Sequence, residues 1–165
     1  MPHPRSGIDK IVTDSKNKIA FACDHRGYVL KNRILDTLKK KNYVAVDCGT
    51  FSEESVDYPD FILAAAEKVG RGECGRAIGV CLTGIGSSIA ANKVSGVRAA
   101  LVQSVREAGL SRAHNDSNML ILGSGVLQPE LLIPILETWL QTPFEGGRHE
   151  RRVDKIKSYE QKHCR

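Results

Sequence analysis

Residues able to move a proton or hold an anion gather in three short polar segments. Cys23-Asp24-His25-Arg26-Gly27 brings a thiol, a carboxyl and an imidazole into three consecutive positions. A second segment runs Cys48-Gly49-Thr50-Phe51-Ser52 and continues, a few residues on, as Asp57-Tyr58-Pro59. In the third, Cys81 leads through Leu82 and Thr83 into the turn Gly84-Ile85-Gly86-Ser87-Ser88. Glycines let several backbone N–H groups point inward, and where such a turn opens a helix those amides stabilise an anion. A phosphate or an enediolate oxygen suits a nest of this kind. Cys81 stands at its mouth, where a thiol gains reactivity as a nucleophile or base. The competing reading is an inert buried cysteine, and Cys23, placed much like Cys81, shows that position alone does not decide.

Outside these segments the candidates are weaker. His114, in Ser111-Arg112-Ala113-His114-Asn115-Asp116, has the ordinary explanation of a helix C-terminal histidine favoured by the macrodipole. His25 beside Asp24 places two titrating groups on one loop. Arg148, His149, Arg151 and Arg152 follow Glu145-Gly146-Gly147. A solvated helix face is the default for such a run, although Arg148 and Arg152, four residues apart, are spaced to grip one phosphate. The glycine turn resembles half of a dinucleotide fingerprint. However, Ile89 stands at the third glycine position, Val102-Gln103 lacks the acidic residue, and the turn follows the third strand instead of the first.

The elements that must position these groups read off the hydrophobic pattern. Short apolar runs over Lys18–Cys23, Tyr43–Asp47, Ala77–Cys81, Val97–Val102 and Met119–Leu122 predict five strands. Helical patterns fall between and after them: Tyr28 to about Lys41, Pro59 to about Val69, near Ser87 to Lys93, a stretch ending near His114, and Pro129 to about Leu140. Pro59 and Pro129 sit at helix starts, and the segment from Arg148 onward reads as a last, charged helix. Strict β–α alternation with unbroken apolar strands predicts a doubly wound parallel sheet buried on both faces. The fold class expected is a single-domain, Rossmann-like, three-layer αβα sandwich. Residues 1–17 read as a flexible N-terminal extension, 18–142 as the α/β domain and 143–165 as a basic helical tail. In such sheets ligands bind beyond the carboxyl ends of the strands, which is where the three polar segments fall.

Composition narrows the function. The 165 residues are 41% hydrophobic and 26% charged, and no apolar run is long enough to span a bilayer. Five cysteines without C-x-x-C spacing argue against a disulfide framework or a zinc site and for a reducing, cytoplasmic setting. The net charge of +5 is concentrated in Lys39-Lys40-Lys41 and the segment after Arg148. With 5% aromatics and no nucleic-acid-binding signature, a small anionic substrate accounts for that charge as well as nucleic acid does.

The ordered set Cys23–Gly27, Asp57–Pro59, Thr83–Lys93, Gly96–Ala99, His114–Asp116 and Glu145–Arg152 resembles the ribose-5-phosphate isomerase type B family, which includes the galactose-6-phosphate isomerase subunits. The resemblance covers residues 18–160. It implies strands 1 and 3 side by side, and a cytoplasmic enzyme of the pentose phosphate pathway. It also implies a homodimer, or a dimer of dimers, with active sites shared across the interface. Cys81 matches the base that moves the proton between C2 and C1, Thr83 a helper in proton delivery, and Gly84, Ile85, Gly86, Ser87 and Ser88 the anion hole. His114 matches the group that opens the furanose ring, and Asp24 lies at the other end of the sugar's hydroxyls. Asn115 and Tyr58 match orienting groups, while His25, Arg148 and Arg152 match the phosphate site. No metal, organic cofactor, nucleic acid or membrane is implied.

Two departures from the family pattern stand out: Leu82 where glycine is usual, and Gly125 where an arginine usually reaches toward the phosphate. Loss of one charged donor costs about 1.5–3 kcal/mol of binding if nothing replaces it. Another phosphosugar, a tetrose or hexose phosphate, therefore competes with the pentose. A non-catalytic anion- or nucleotide-binding module is a third reading.

Overall fold

The computed structural model describes residues 14–163. Residues 1–13, most of the expected N-terminal extension, lie outside the described residues, as does Cys164. A short 3-10 turn over Ser15–Asn17, capped by Asp14, leads into β1 (Lys18–Cys23). There follow α1 (Tyr28–Lys40), β2 (Val44–Asp47), α2 (Tyr58–Gly70), β3 (Arg76–Cys81) and α3 (Ile85–Ala91). The second half runs β4 (Ala99–Leu101), α4 (Val105–Asn115), β5 (Met119–Gly123), α5 (Leu132–Gln141) and α6 (Arg148–His163). No helix among the described residues is long and apolar enough to cross a membrane.

All strand pairs are parallel and the sheet order is β2-β1-β3-β5-β4. β1 and β3 are neighbours, with Cys23 opposite Val80, so the chain leaves them in opposite directions and opens a crevice between their carboxyl ends. One face of the sheet packs on α1, α4 and α5 through Ile34, Leu38, Ile135, Leu136 and Trp139. The other packs on α2 and α3 through Ile62, Ala65, Ala66 and Ala91. This is the three-layer arrangement that the alternation predicts. The small side chains of α2 and α3 let those helices sit close against the sheet.

Two strands depart from expectation. β2 is exposed along most of its length, with Val44 half open to solvent, because it is an edge strand with a neighbour on one side only. β4 is three residues long instead of six, since Val97 and Arg98 are used in the turn from α3 and Val102 in the exit toward α4. α3 also begins two residues before Ser87, directly at the glycine turn.

α4 starts at a capping box in which the Ser104 side chain accepts from the Glu107 N–H and Glu107 accepts from the Ser104 N–H. Ser104→Ala removes one half of that exchange and should lower the free energy of unfolding by about 1 kcal/mol, measured by urea denaturation.

Candidate active site

The register of β1 against β3 sets Asp24 beside Cys81. Asp24 is almost wholly buried, and its Oδ1 accepts from the backbone N–H groups of Arg26 (2.9 Å) and Gly27 (2.8 Å), which shapes the turn into α1. Gly27 has no alternative there, because a Cβ would run into the Val80 carbonyl of the neighbouring strand. His25 follows with Nδ1 accepting from the Val56 N–H at 3.2 Å, an arrangement that leaves the ring proton on Nε2. That bond ties the loop after β1 to the loop before α2, so His25 and Tyr58 share one wall.

Cys81 ends β3 with 5% of its surface exposed, and its Sγ accepts from the Gly84 N–H at 3.2 Å. Gly84 is the residue before α3 and has φ of 79°, in the left-handed region, and its own N–H is the one that meets the sulfur. Thr83 Oγ1 accepts from the Ile85 N–H at 3.3 Å. Ser87 Oγ is fully enclosed with no hydrogen-bond partner, which leaves one polar group in the nest unspent. The Tyr58 ring lies over Gly86 so closely that any side chain there would collide with it. Cys23, by contrast, lies within the core, where burial pushes its thiol up to about 11. The two strand-end cysteines thus separate, one sealed and one meeting the Gly84 N–H at the start of α3.

His114 and Asn115 lie elsewhere. They end α4 beside the start of β5, whereas Cys81 pairs with Gly123 at the end of β5. Four strand steps separate these edges, about 13 Å. Asp116, left-handed at φ 45°, holds this corner by pairing with Arg98 (3.0 Å) and with the buried Arg112 (2.8 Å). Arg112 also donates to the Ser117 carbonyl, and the Trp139 indole donates to the Ser117 hydroxyl at 2.9 Å. α6 starts at the same corner. His149 is buried and stacks on His114, with ring centroids 4.0 Å apart and planes within 7°. Arg148 and Arg152 are exposed on the adjoining surface. One end of the protomer therefore collects Asp24, His25, Tyr58, Cys81, Thr83 and Gly84–Ser88, and the opposite end collects His114, Asn115, Arg148 and Arg152.

Glu145 Oε2 lies 4.0 Å from His114 Nε2 and 3.6 Å from His149 Nε2. These three side chains offer ligand atoms within 4.8 Å of one another. The fit to a metal is poor: an ion prefers the plane of each imidazole about 2.0–2.1 Å from nitrogen, and two parallel planes share no such point. The contribution of His149 and Glu145 was not legible in the charge run. The only trace was their spacing of four residues.

Leu82 and Gly125, 43 positions apart in the chain, meet at the rim beside Cys81. The Gly125 N–H donates to the Leu82 carbonyl at 2.8 Å, and a Cβ on Gly125 would come within 2.6 Å of Leu82 Cδ1. The tip of the exposed leucine leans over the place from which a side chain at 125 would start. The two departures noted in the sequence are neighbours in space.

A profile of the ribose/galactose isomerase family matches residues 19–156. The ribose-5-phosphate isomerase B of Escherichia coli strain K12 is 45% identical over 145 residues, covering 88% of this chain and 97% of that protein. Among solved structures, ribose-5-phosphate isomerase B of Clostridium thermocellum is 52% identical with a TM-score of 0.86, over 88% of this chain and 99% of that one. The Mycoplasma genitalium ribose-5-phosphate isomerase B structure with bound ribulose 5-phosphate is 43% identical with a TM-score of 0.84, covering 87% and 96%.

Gly125→Arg meets only the far end of the exposed Leu82 side chain, so it should cost no more than about 0.5 kcal/mol of stability, and Leu82→Gly in the same chain should recover what is lost. Thermal unfolding of the two single variants and the double variant measures this coupling. Alkylation by iodoacetamide at neutral pH, followed by peptide mass mapping, should modify Cys81 well before Cys23.

Proposed function

The chain belongs to the ribose/galactose isomerase family, and on that premise we propose that it interconverts ribose 5-phosphate and ribulose 5-phosphate through a cis-enediolate. The observation that carries the reading is the Cys81 sulfur facing the Gly84 N–H at the mouth of the amide nest. Aldose–ketose isomerisation requires an open chain, a base for a weakly acidic C–H bond, and donors for the oxygen that becomes negative. Cys81 as thiolate takes the C2 proton, and the electron pair left behind forms the C1–C2 double bond while negative charge moves to O1. Of the turn Gly84 to Ser88, the Gly86 and Ser87 amides meet that charge, because those of Gly84, Ile85 and Ser88 already donate to Cys81 Sγ, Thr83 Oγ1 and the Gly84 carbonyl. A preorganised donor of this type contributes about 3–4 kcal/mol. Thr83 delivers a proton between the two oxygens, and the proton held on Cys81 returns to C1. Hydrogen moves within one molecule, so no external oxidant or reductant enters the balance.

His114 opens the ring by protonating the ring oxygen as the C1 hydroxyl loses its proton. Asp24 and Tyr58 hold the sugar hydroxyls from one side and Asn115 from the other. The Nε2 proton of His25 and the guanidinium groups of Arg148 and Arg152 take the phosphate. Because these groups occupy opposite ends of a protomer, two copies build each site, one supplying Cys81 and the other His114. Exposed Leu82, Ile85, Ile89 and Val126 at the Cys81 end, with Ile156 and Tyr159 on α6, supply apolar surface for such a contact.

A different phosphosugar is the second reading, favoured by the Leu82–Gly125 contact, which puts an aliphatic side chain at the rim where no cation stands at 125. Comparing kcat/KM for ribose 5-phosphate with values for tetrose and hexose phosphates separates the two; higher turnover of another sugar displaces the pentose.

Cys81→Ala should abolish deuterium incorporation at C1 of ribulose 5-phosphate in heavy water while leaving its binding, measured by calorimetry, within about threefold; continued exchange would remove Cys81 as the base. Mixing separately inactive Cys81→Ala and His114→Ala proteins after dissociation should restore about a quarter of wild-type activity. Half of the dimers are then mixed, and each mixed dimer holds one intact site. No recovery would place both residues in one protomer's site.

A further inference from the structure

Resting on the reading of His114 as the ring-opening group, we propose that His149 is a positioning residue that fixes the His114 imidazole by stacking on it. The stack is close to parallel at 4.0 Å, so His149 presents its whole face to His114 and sets the direction of its ring nitrogens. His149 itself is held on three sides. It is buried, its Nε2 accepts from Arg148 Nε at 3.4 Å, and Glu145 lies against the same edge. A ring that accepts at Nε2 is neutral, with its proton on Nδ1.

Neutrality has a physical cause. Burial, the facing His114 and the Arg148 guanidinium all lower the His149 pKa, with a smaller contribution from Arg152, and only Glu145 opposes them. A positive charge on His149 would face the His114 ring and the Arg148 guanidinium at close range, which disfavours it. His114 is the more open of the two, and its Nε2 also lies 4.0 Å from the Glu145 carboxylate. His114 is the ring that solvent and a sugar can reach, so it is the one placed to touch substrate. The Glu145 backbone N–H donates to the Ala113 carbonyl at 3.0 Å, which locks the carboxylate-bearing loop to the helix that carries His114.

Ring opening is needed for ribose 5-phosphate but not for ribulose 5-phosphate, whose C5 oxygen is esterified and whose chain stays open. Two readouts therefore separate positioning of His114 from general damage: kcat for ribose 5-phosphate, and deuterium wash-in at C1 of ribulose 5-phosphate. His149→Ala should reduce the first about tenfold or more and the second less than about twofold. His149→Phe, which keeps a flat face, should return most of the lost turnover. Equal losses in both readouts, or no loss in either, would overturn the proposal, and so would failure of His149→Phe to rescue. His114→Ala run in parallel tests the premise. If it lowers both readouts equally, the ring-opening reading falls and this inference with it. If it lowers only the first while His149→Ala does not, this inference alone falls.

Discussion

Every hydrogen bond in the sheet joins strands that run the same way, and the helices between them must run back. Helix N-termini and strand carboxyl ends therefore collect at one end of the molecule, and helix C-termini at the other. Amides with unspent protons belong to the first end and cationic side chains near helix C-termini to the second. The placement of the reactive groups follows from this direction. The Cys81 sulfur, the Gly84 turn and the Asp24 carboxyl lie at one end, and His114 at the other, because the backbone offers them those positions. Within one copy of this fold the Cys81 thiol and the His114 imidazole stay at opposite ends of the sheet.

Within the Cys81 end, shape is set by close backbone approaches. Gly27 lets the first turn touch β3, Gly84 brings its N–H to the Cys81 sulfur, and Gly86 admits the Tyr58 ring. Each contact sets a loop directly against a neighbouring element, so the turn before α3 takes its shape from the packing around it. At the other end the same service is performed by charge. Asp116 between two arginines and Trp139 on Ser117 hold a corner that has little regular structure of its own.

The fold was largely legible in the sequence, because buried strands and amphipathic helices differ in period and length, and the polar loops fell where strands end. Val44 misled because apolar composition does not distinguish a central strand from an edge strand; that depends on neighbours, which are set by topology. Cys81 and Cys23 could not be told apart for the same reason, since enclosure is a property of the assembled core. The glycine turn was readable as a nest because its chemistry is local. The stacked histidines were not, since His149 looked like one member of a charged helix face and its partner lies 35 residues earlier. The residues His114, Asn115, Arg148 and Arg152 were recognised from an ordered pattern, but only the three-dimensional structure puts them across the sheet from Cys81.

The contact between Leu82 and Gly125 also bears on how such a sequence can change. The atom that crowds position 125 is the tip of an exposed leucine, so a side chain arriving there turns the leucine to another rotamer instead of being shut out. The two positions can change in either order. What the contact does fix is a shared choice: when one side chain leans over the rim, the other must stand away from it. The polarity of the rim is thus set by whichever of the two reaches inward.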